Sequence, residues 1–228
     1  MTEEQAKQWV KNKTNQSKVV DLFFETNKPV STKTAFFMAG IPGAGKTEFT
    51  ENTLKVTPGL ISIEHDQLVE YIDGYTPEEY YNYRKAGSVL VTRIFDECLQ
   101  NEYSFVFDGT LSHENGVKNI DKALKTGYEV IVVYIVQDAA LAWKLTQARE
   151  LVKKRAIERT GFIETCKKIN LNLLNIFKKH KNNVKFSFWL IDKQGRHDMQ
   201  KAVAIMHSAT LDKSGEIEKA LQATYNID

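Results

Sequence analysis

Eight consecutive residues fit G-x-x-x-x-G-K-[ST], the pattern of a phosphate-binding loop. Glycines let such a loop curl until its backbone N–H groups face phosphate oxygens. The lysine then brings a positive charge to the β and γ phosphates, and the threonine hydroxyl completes a Mg²⁺ shell. We therefore expect this segment to bind ATP and Mg²⁺, with Lys46 as the lysine and Thr47 as a metal ligand. It reads Gly40-Ile41-Pro42-Gly43-Ala44-Gly45-Lys46-Thr47.

A carboxylate follows the apolar run Leu60–Ile63, at Asp66. Parallel sheets place ligand groups outside the carboxyl ends of their strands, so Asp66 should face the same crevice as Lys46. There it could accept the proton of an attacking hydroxyl or hold a metal ion. The alternative for Asp66 is a helix N-cap. His65 beside it could tune it, although a surface position is the default expectation for this histidine.

A second carboxylate, Asp108, directly follows the run Tyr103–Phe107, with the hydroxyl of Thr110 two residues later. This pair could position Mg²⁺ or a substrate. The alternative is that Asp108 and Gly109 only form a turn.

Basic residues are concentrated late in the chain. Residues 149–181 contain ten Lys or Arg and three Glu, although the whole chain carries only +2. Three arginines, Arg149, Arg155 and Arg159, lie before and across a predicted break at Thr160-Gly161 between two helices. Small P-loop kinases close a lid of arginines over the transferred phosphoryl group at such a place, and guanidinium suits that charge better than ammonium.

Apolar runs alternate with helix-length segments, which predicts an α/β fold: a three-layer sandwich with a mostly parallel central sheet and helices on both faces. A helical segment over Glu3–Glu25 precedes the first strand. The predicted strands are Ala35–Ala39, Leu60–Ile63, Tyr103–Phe107, Tyr128–Val136 and Phe186–Ile191. The predicted helices that follow them are Thr47–Leu54, Pro77–Gln100, Gly116–Lys125, Ala139–Ile157 and Ile163–Lys179.

Composition excludes several classes of protein. The 228-residue chain has 42% hydrophobic and 26% charged residues, which suits one globular domain. We expect its core at 34–192, preceded by helices in 1–30. A polar tail at 196–228 should end in a helix. The longest apolar run, Val130–Val136, is too short to span a membrane, and the amino end has no signal region. Cys98 and Cys166 are expected to be buried thiols in a reducing cytoplasm.

A GTPase is disfavoured because the chain has no N-K-x-D motif for reading guanine. The stretch Asp192-Lys193-Gln194-Gly195 imitates the D-x-x-G switch of GTPases but follows the last predicted strand and suits a turn.

Taken in order from about Phe36 to Asp192, these parts resemble the zeta-toxin family of toxin–antitoxin systems, P-loop kinases that phosphorylate UDP-N-acetylglucosamine. The most specific stretch is Phe107-Asp108-Gly109-Thr110, then a helix, then Lys125–Val130. The resemblance implies ATP and Mg²⁺ as cofactors, a sugar nucleotide as substrate and a small helical antitoxin as partner.

The resemblance also implies roles for individual residues. Lys46 and Thr47 would contact the phosphates and Mg²⁺, and Asp66 would act as the base on the sugar hydroxyl. Asp108, where the family commonly has Glu, and Thr110 would lie near metal and substrate. Arg149 would be the first lid arginine and also contact substrate. Arg159 matches the second lid arginine, with Arg155 as its rival.

One departure concerns the acceptor. A glutamate that helps to hold the sugar nucleotide in the family corresponds here to a place near Thr92. The acceptor could therefore be a different hydroxyl compound: a nucleoside, an antibiotic or a polynucleotide end. A nucleotide-dependent binding protein without acceptor chemistry is a further alternative.

Nucleic acid is an unlikely partner by this interpretation. A polynucleotide end would need a basic, aromatic groove. One cluster could supply it, but its helical spacing favours a half-buried helix surface. The cluster consists of Tyr80, Tyr81, Tyr83, Arg84 and Lys85.

Overall fold

The computed structural model describes residues 1–153, 158–180 and 183–190, and in these ranges five strands form one parallel sheet. Their order in the sheet is β2-β3-β1-β4-β5. Each predicted strand is present, and its described ends lie within two residues of the predicted ones. The strands are β1 (Thr34–Ala39), β2 (Ile61–Glu64), β3 (Phe105–Asp108), β4 (Glu129–Val136) and β5 (Val184–Leu190).

Helices connect these strands, and the predicted α/β class is confirmed. Two short 3₁₀ turns, Val69–Tyr71 and Pro77–Glu79, link the fourth helix to the fifth. The helices are α1 (Glu3–Lys11), α2 (Lys13–Asn27), α3 (Lys46–Val56), α4 (His65–Leu68), α5 (Tyr80–Gln100), α6 (Glu114–Lys125), α7 (Ala139–Lys153) and α8 (Arg159–His180).

The strand order explains where a ligand site forms. The chain moves from β1 across to β2 and then returns through β3 to β4 and β5 on the other side. Because such crossovers are right-handed, α3 lies on one face of the sheet and α5, α6 and α8 lie on the other. Ligands bind at the carboxyl ends of strands where this direction reverses, which here is the end of β1.

The amino-terminal helices are part of the hydrophobic core. Ala6 and Val10 of α1 and Val19 and Phe23 of α2 are buried, and α1 packs along α5. These two helices correspond to the helical segment predicted over Glu3–Glu25.

The helix break predicted at Thr160-Gly161 is wrong. Helix α8 begins at Arg159, so both residues lie in its first turn, and the N–H of Phe162 donates to the carbonyl of Glu158 at 3.0 Å. Phe162 is buried against Trp143 of α7, with ring centroids 5.2 Å apart. This packing starts the helix early, and a glycine is tolerated in an exposed first turn.

Both cysteines are buried free thiols, as predicted. None of the helices in the described ranges is long and apolar enough to cross a membrane. Several predicted features lie outside the described residues: Arg155, the turn at Asp192–Gly195 and the polar tail with its helix.

Candidate active site

The predicted phosphate-binding loop connects β1 to α3 and depends on its glycines. Gly43 and Gly45 have φ values of 77° and 92°, in the left-handed region that glycine adopts at little cost. At Gly40 a Cβ atom would lie 2.8 Å from the carbonyl oxygen of Ile135, so the loop could not approach β4 with a larger residue. Among the described residues, no side chain caps α3. Its first N–H groups are therefore available to an anion.

Lys46 begins α3 and turns back over the loop. Its Nζ donates to the carbonyl oxygens of Gly40 at 2.9 Å and Ile41 at 3.0 Å. Desolvation lowers the pKa of Lys46 to about 8; the Asp108 carboxylate opposes this shift and the Arg149 charge adds to it. The Lys46 side chain is thus held next to the phosphate-binding loop, where the phosphates of a nucleotide would bind. Thr47 follows, half-buried in the first turn of α3.

Asp108 ends β3 and lies in register with Glu64 of β2. Burial raises the pKa of the Asp108 carboxyl, while the charges of Lys46 and Arg149 oppose the shift and those of Asp66 and Glu48 reinforce it. These charges act on one another only because they face a common crevice. Glu48, in the first turn of α3, was missed by the sequence reasoning, and a carboxylate one residue after the loop pattern was the available signal.

Asp66 is half-buried in the first turn of α4 and is not its N-cap, a position that Glu64 occupies. The hydroxyl of Tyr80 donates to Asp66 Oδ1 at 2.9 Å. The N-cap alternative for Asp66 is therefore wrong. The contact with Tyr80 crosses from α4 to α5 and had no signal in the sequence.

Thr110 lies in a loop that is tied to the phosphate-binding loop. Its carbonyl accepts from the N–H of Gly40 at 3.3 Å, and its hydroxyl is 2.7 Å from that of Ser112. The next residue, Leu111, has φ of 58°, which is uncommon for a side chain of this size. Its carbonyl accepts from the buried Asn172 side chain at 2.9 Å. Asn172 was missed, although an asparagine on the apolar face of α8 was a signal.

Helix α7 packs directly on the phosphate-binding loop. A Cβ at Gly43 would lie 2.3 Å from the carbonyl oxygen of Ala142 and 2.8 Å from Thr146 Oγ1. Ala142, Thr146 and Arg149 are spaced by four and three residues, so they share one face of the helix. Arg149 is exposed, and its charge acts at both Lys46 and Asp108.

Arg159 is exposed at the first position of α8. It is not among the charges that shift the pKa of Lys46 or of Asp108. Of the two described lid arginines, Arg149 is the one whose charge acts on Lys46 and Asp108, and the role of Arg159 stays a prediction. The rival for that second role, Arg155, belongs to the part of the chain that is not described.

Thr92 lies in the middle of α5, exposed, with its hydroxyl donating to the carbonyl of Ser88 at 3.0 Å. His65, next to Asp66, contacts α5 at Arg84. Thr92 is eight residues further along, about 12 Å at the helical rise. Thr92 therefore lies about two turns along α5 from the contact with His65.

The aromatic and basic cluster does not form one groove. Tyr83 is fully buried and donates to the carbonyl of Gly74 at 2.6 Å. Tyr80 turns to Asp66, and Lys85 pairs with Glu3 of α1 at 2.9 Å. The prediction of a half-buried helix surface is confirmed for this cluster.

A family comparison adds to this geometry. The profile of the family described as Zeta toxin matches residues 20–203 of the sequence. The chain belongs to the zeta toxin family. The matched segment contains the phosphate-binding loop, both crevice aspartates and Arg149, and it identifies the chain as a P-loop kinase of the zeta toxin type.

Solved structures agree with this assignment at the level of the fold. A structure of the PezAT chromosomal toxin–antitoxin system of Streptococcus pneumoniae superposes with a TM-score of 0.62 and 16% identity, over 92% of this chain and 93% of that chain. A structure of the AvrRxo1-ORF1:-ORF2 complex with ATP superposes with a TM-score of 0.63 and 15% identity, over 80% of this chain and 64% of that chain. A putative kinase from Chloroflexus aurantiacus superposes with a TM-score of 0.52 and 12% identity, over 86% of this chain and 99% of that chain. A search of proteins with curated functions found no match.

Proposed function

We propose that this member of the zeta toxin family is an ATP-dependent kinase that transfers the γ-phosphoryl group to a hydroxyl of a sugar nucleotide similar to UDP-N-acetylglucosamine. The observation that supports this proposal most directly is that the charges of Lys46, Arg149 and Asp66 all act on the half-buried carboxylate of Asp108. Such a group contains a phosphate-binding cation, a second cation, a candidate base and a candidate metal ligand. Those are the parts that phosphoryl transfer requires.

In this proposal ATP binds the loop Gly40–Thr47, and Lys46 leaves its two carbonyl partners for the phosphates. The acceptor oxygen forms a bond to the γ-phosphorus as the bond from that phosphorus to ADP breaks. Asp66 accepts the proton of the acceptor hydroxyl. Lys46, Arg149 and Arg159 stabilise the charge on the transferred group.

The residues present are compatible with Mg²⁺. In the described ranges, no three His, Cys, Asp or Glu form a group that could hold a metal ion. Mg²⁺ does not need one, because it usually keeps several waters and uses one or two protein oxygens together with substrate phosphates. Thr47 and Asp108 would hold the ion, which would supply positive charge to the β and γ phosphates.

The proposed acceptor rests on the family. Asp66 would meet the acceptor hydroxyl, and Asp108, Thr110 and Arg149 would contact the substrate. The position matching the family's glutamate, near Thr92, holds no carboxylate, so any replacement for that glutamate would come from another residue. The split of the tyrosine cluster does not favour a polynucleotide end as the acceptor.

We also propose that the protein acts in the cytoplasm as the toxin of a toxin–antitoxin pair, silenced by a small helical antitoxin on another chain.

The test is incubation of the purified protein with ATP, Mg²⁺ and a panel of sugar nucleotides, followed by mass spectrometry of the products. We expect a phosphorylated sugar nucleotide. Asp66→Ala should abolish it while ATP still binds, and Asp21→Asn, which changes an exposed aspartate of α2, should have no effect. ATP hydrolysis without any phosphorylated acceptor would contradict the kinase proposal. Normal turnover in Asp66→Ala would contradict the base assignment.

A further inference from the structure

A glycine in the middle of α5 marks an unusually close contact between two helices. Glycine inside a helix costs about 1 kcal/mol relative to alanine. At Gly87, however, a Cβ atom would lie 2.4 Å from Val69 Cγ1 and 3.0 Å from His65 Nε2. The glycine is therefore required for α4 and the turn after it to lie against α5.

His65 is held within this contact. Its Nε2 lies 2.8 Å from the carbonyl oxygen of Arg84, which can only accept, so Nε2 carries the hydrogen. Its Nδ1 then carries no hydrogen and lies 3.4 Å from the Tyr80 oxygen, whose single hydrogen goes to Asp66, so this approach is not a hydrogen bond. The two rings meet edge to face with centroids 6.1 Å apart. The hydrogen bond to Arg84 and the ring contact with Tyr80 hold His65.

Tyr80 completes the arrangement from the start of α5. Its half-buried side chain reaches back to α4 and donates to Asp66 Oδ1 at 2.9 Å. A carboxylate in water rotates freely about its last bond. A donor on one oxygen makes the two oxygens inequivalent and restricts the carboxylate plane.

We propose that Tyr80 is a positioning residue for Asp66 and that His65, seated by Gly87, keeps Tyr80 in place. This inference rests on the proposed role of Asp66 as the base. Tyr80 keeps its own proton throughout: the acceptor O–H breaks, its proton passes to Asp66, and the new O–P bond forms as the bond from the γ-phosphorus to ADP breaks. The tyrosine acts only by orienting the carboxylate toward that hydroxyl.

The first experiment removes the hydroxyl alone. In Tyr80→Phe we expect kcat for phosphorylation of the acceptor to fall about tenfold, the value of one hydrogen bond, with KM for ATP within about twofold of the original. The matched control is Tyr71→Phe, whose ring packs on Phe23 at 6.3 Å. It should leave both constants unchanged. A purely structural role for Tyr80 would instead raise KM for ATP and lower Tm without a selective change in kcat.

A second measurement does not depend on catalysis. In protein with ¹³C-labelled aspartate carboxyls, the Asp66 resonance is assigned by its loss in Asp66→Asn. We expect it to shift in Tyr80→Phe and to stay in place in Tyr71→Phe. An unchanged resonance overturns the positioning role. If the protein phosphorylates no acceptor but the resonance shifts, the proposed function fails and the orienting contact stands.

The close contact between Gly87 and His65 is tested by alanine substitutions at two helical glycines. In Gly87→Ala we expect kcat to fall because the new methyl group displaces His65, although alanine is the better helix former. The control Gly161→Ala adds the same methyl in the first turn of α8, where nothing lies within 4 Å. Equal kcat values in the two variants would overturn the part assigned to Gly87 and His65.

Discussion

The two sides of the crevice are built differently. The base side, formed by α4 and the first half of α5, holds Asp66 through Tyr80 and packs closely at Gly87. The arginine side, formed by α7 and the start of α8, carries exposed guanidinium groups. Within the described residues, neither the Arg149 guanidinium nor the Arg159 guanidinium makes a hydrogen bond or an ion pair.

This difference follows from what each side must meet. A base must be oriented before its substrate arrives, because misplacement by about 1 Å can cost about 100-fold in rate. An arginine that stabilises the transferred phosphoryl group forms its ion pair only with the bound phosphates. Until then, a solvated guanidinium costs the protein little stability. The base side is thus organised by the fold, and the arginine side is completed by the nucleotide.

The largest loss of activity is expected at the phosphate-binding loop, which lies between the base side and the arginine side. Lys46→Ala should lower phosphoryl transfer about 1,000-fold, because it removes the cation that faces the β and γ phosphates. Steady-state kinetics with the acceptor measure this loss. The matched variant Lys55→Ala removes an exposed lysine at the other end of α3 and should behave like the original protein. Near-normal turnover in Lys46→Ala would remove the loop from the active site.

Arg149→Ala tests the arginine side. We expect kcat to fall about 100-fold with little change in Tm, because the side chain is exposed and makes its contacts only with bound phosphates. Kinetics and thermal unfolding are measured on the same samples. Lys144→Ala removes an exposed charge from the same helix, away from the Arg149 face, and should leave kcat intact. A large loss of Tm with normal kcat would make Arg149 a structural residue.

Gly43→Ala tests the connection between the loop and α7. The added methyl would meet Ala142 and Thr146 within 3 Å, so we expect about a tenfold loss of kcat and weaker ATP binding, measured by calorimetry. Gly127→Ala is a matched control for backbone strain. Gly127 has a φ of 82°, close to the 77° of Gly43, and no atom lies within 4 Å of the methyl group added there. Equal loss of activity in both variants would mean that strain alone, and not the helix contact, explains the effect.

The smallest effect concerns stability. Asp121 on α6 accepts from Lys179 at 2.6 Å and from His180 at 2.7 Å, both on α8. Burial alone would raise the pKa of Asp121, but these hydrogen bonds outweigh it and leave the pKa below its ordinary value. We expect Asp121→Asn to lower the free energy of unfolding by about 1 kcal/mol near neutral pH, as measured by urea denaturation.

The sign of the pH dependence follows from that lowered pKa. The folded carboxylate releases its proton more readily than the unfolded one, so its stabilisation is complete above the unfolded value, near pH 4, and is lost as the pH falls through the folded value. The variant should therefore match the original protein in acid. Glu114→Gln, whose partner Lys118 is 3.9 Å away and exposed, should cost less at any pH. A difference that persists in acid would contradict this account.

Local patterns predicted most of the fold and the centre of the site. Apolar runs placed all five strands, and the loop pattern led to Lys46 and Thr47 at the end of the first of them. The position of Asp66 and Asp108 in one crevice was also predictable, since the carboxyl ends of parallel strands meet at one edge of a sheet.

Other predictions failed because local signals were outweighed by packing. The Thr160-Gly161 break was expected from helix propensity, but burial of Phe162 against Trp143 started α8 earlier. Tyr80 was grouped with its neighbours in sequence, and only the fold showed that its hydroxyl donates to Asp66. Contacts between residues on different elements leave no periodic pattern in the chain.

The sequence alone determined the α/β class, the phosphate-binding loop and the candidate carboxylates, because residue type and spacing act within a few residues of one another. Tertiary structure decided that the charge of Arg149 acts on Asp108, why Gly43 and Gly87 must be glycines, and how Asp66 is held. The physical reason is distance along the chain. Gly43 meets Ala142, and Leu111 meets Asn172, only after the sheet has brought these distant segments together.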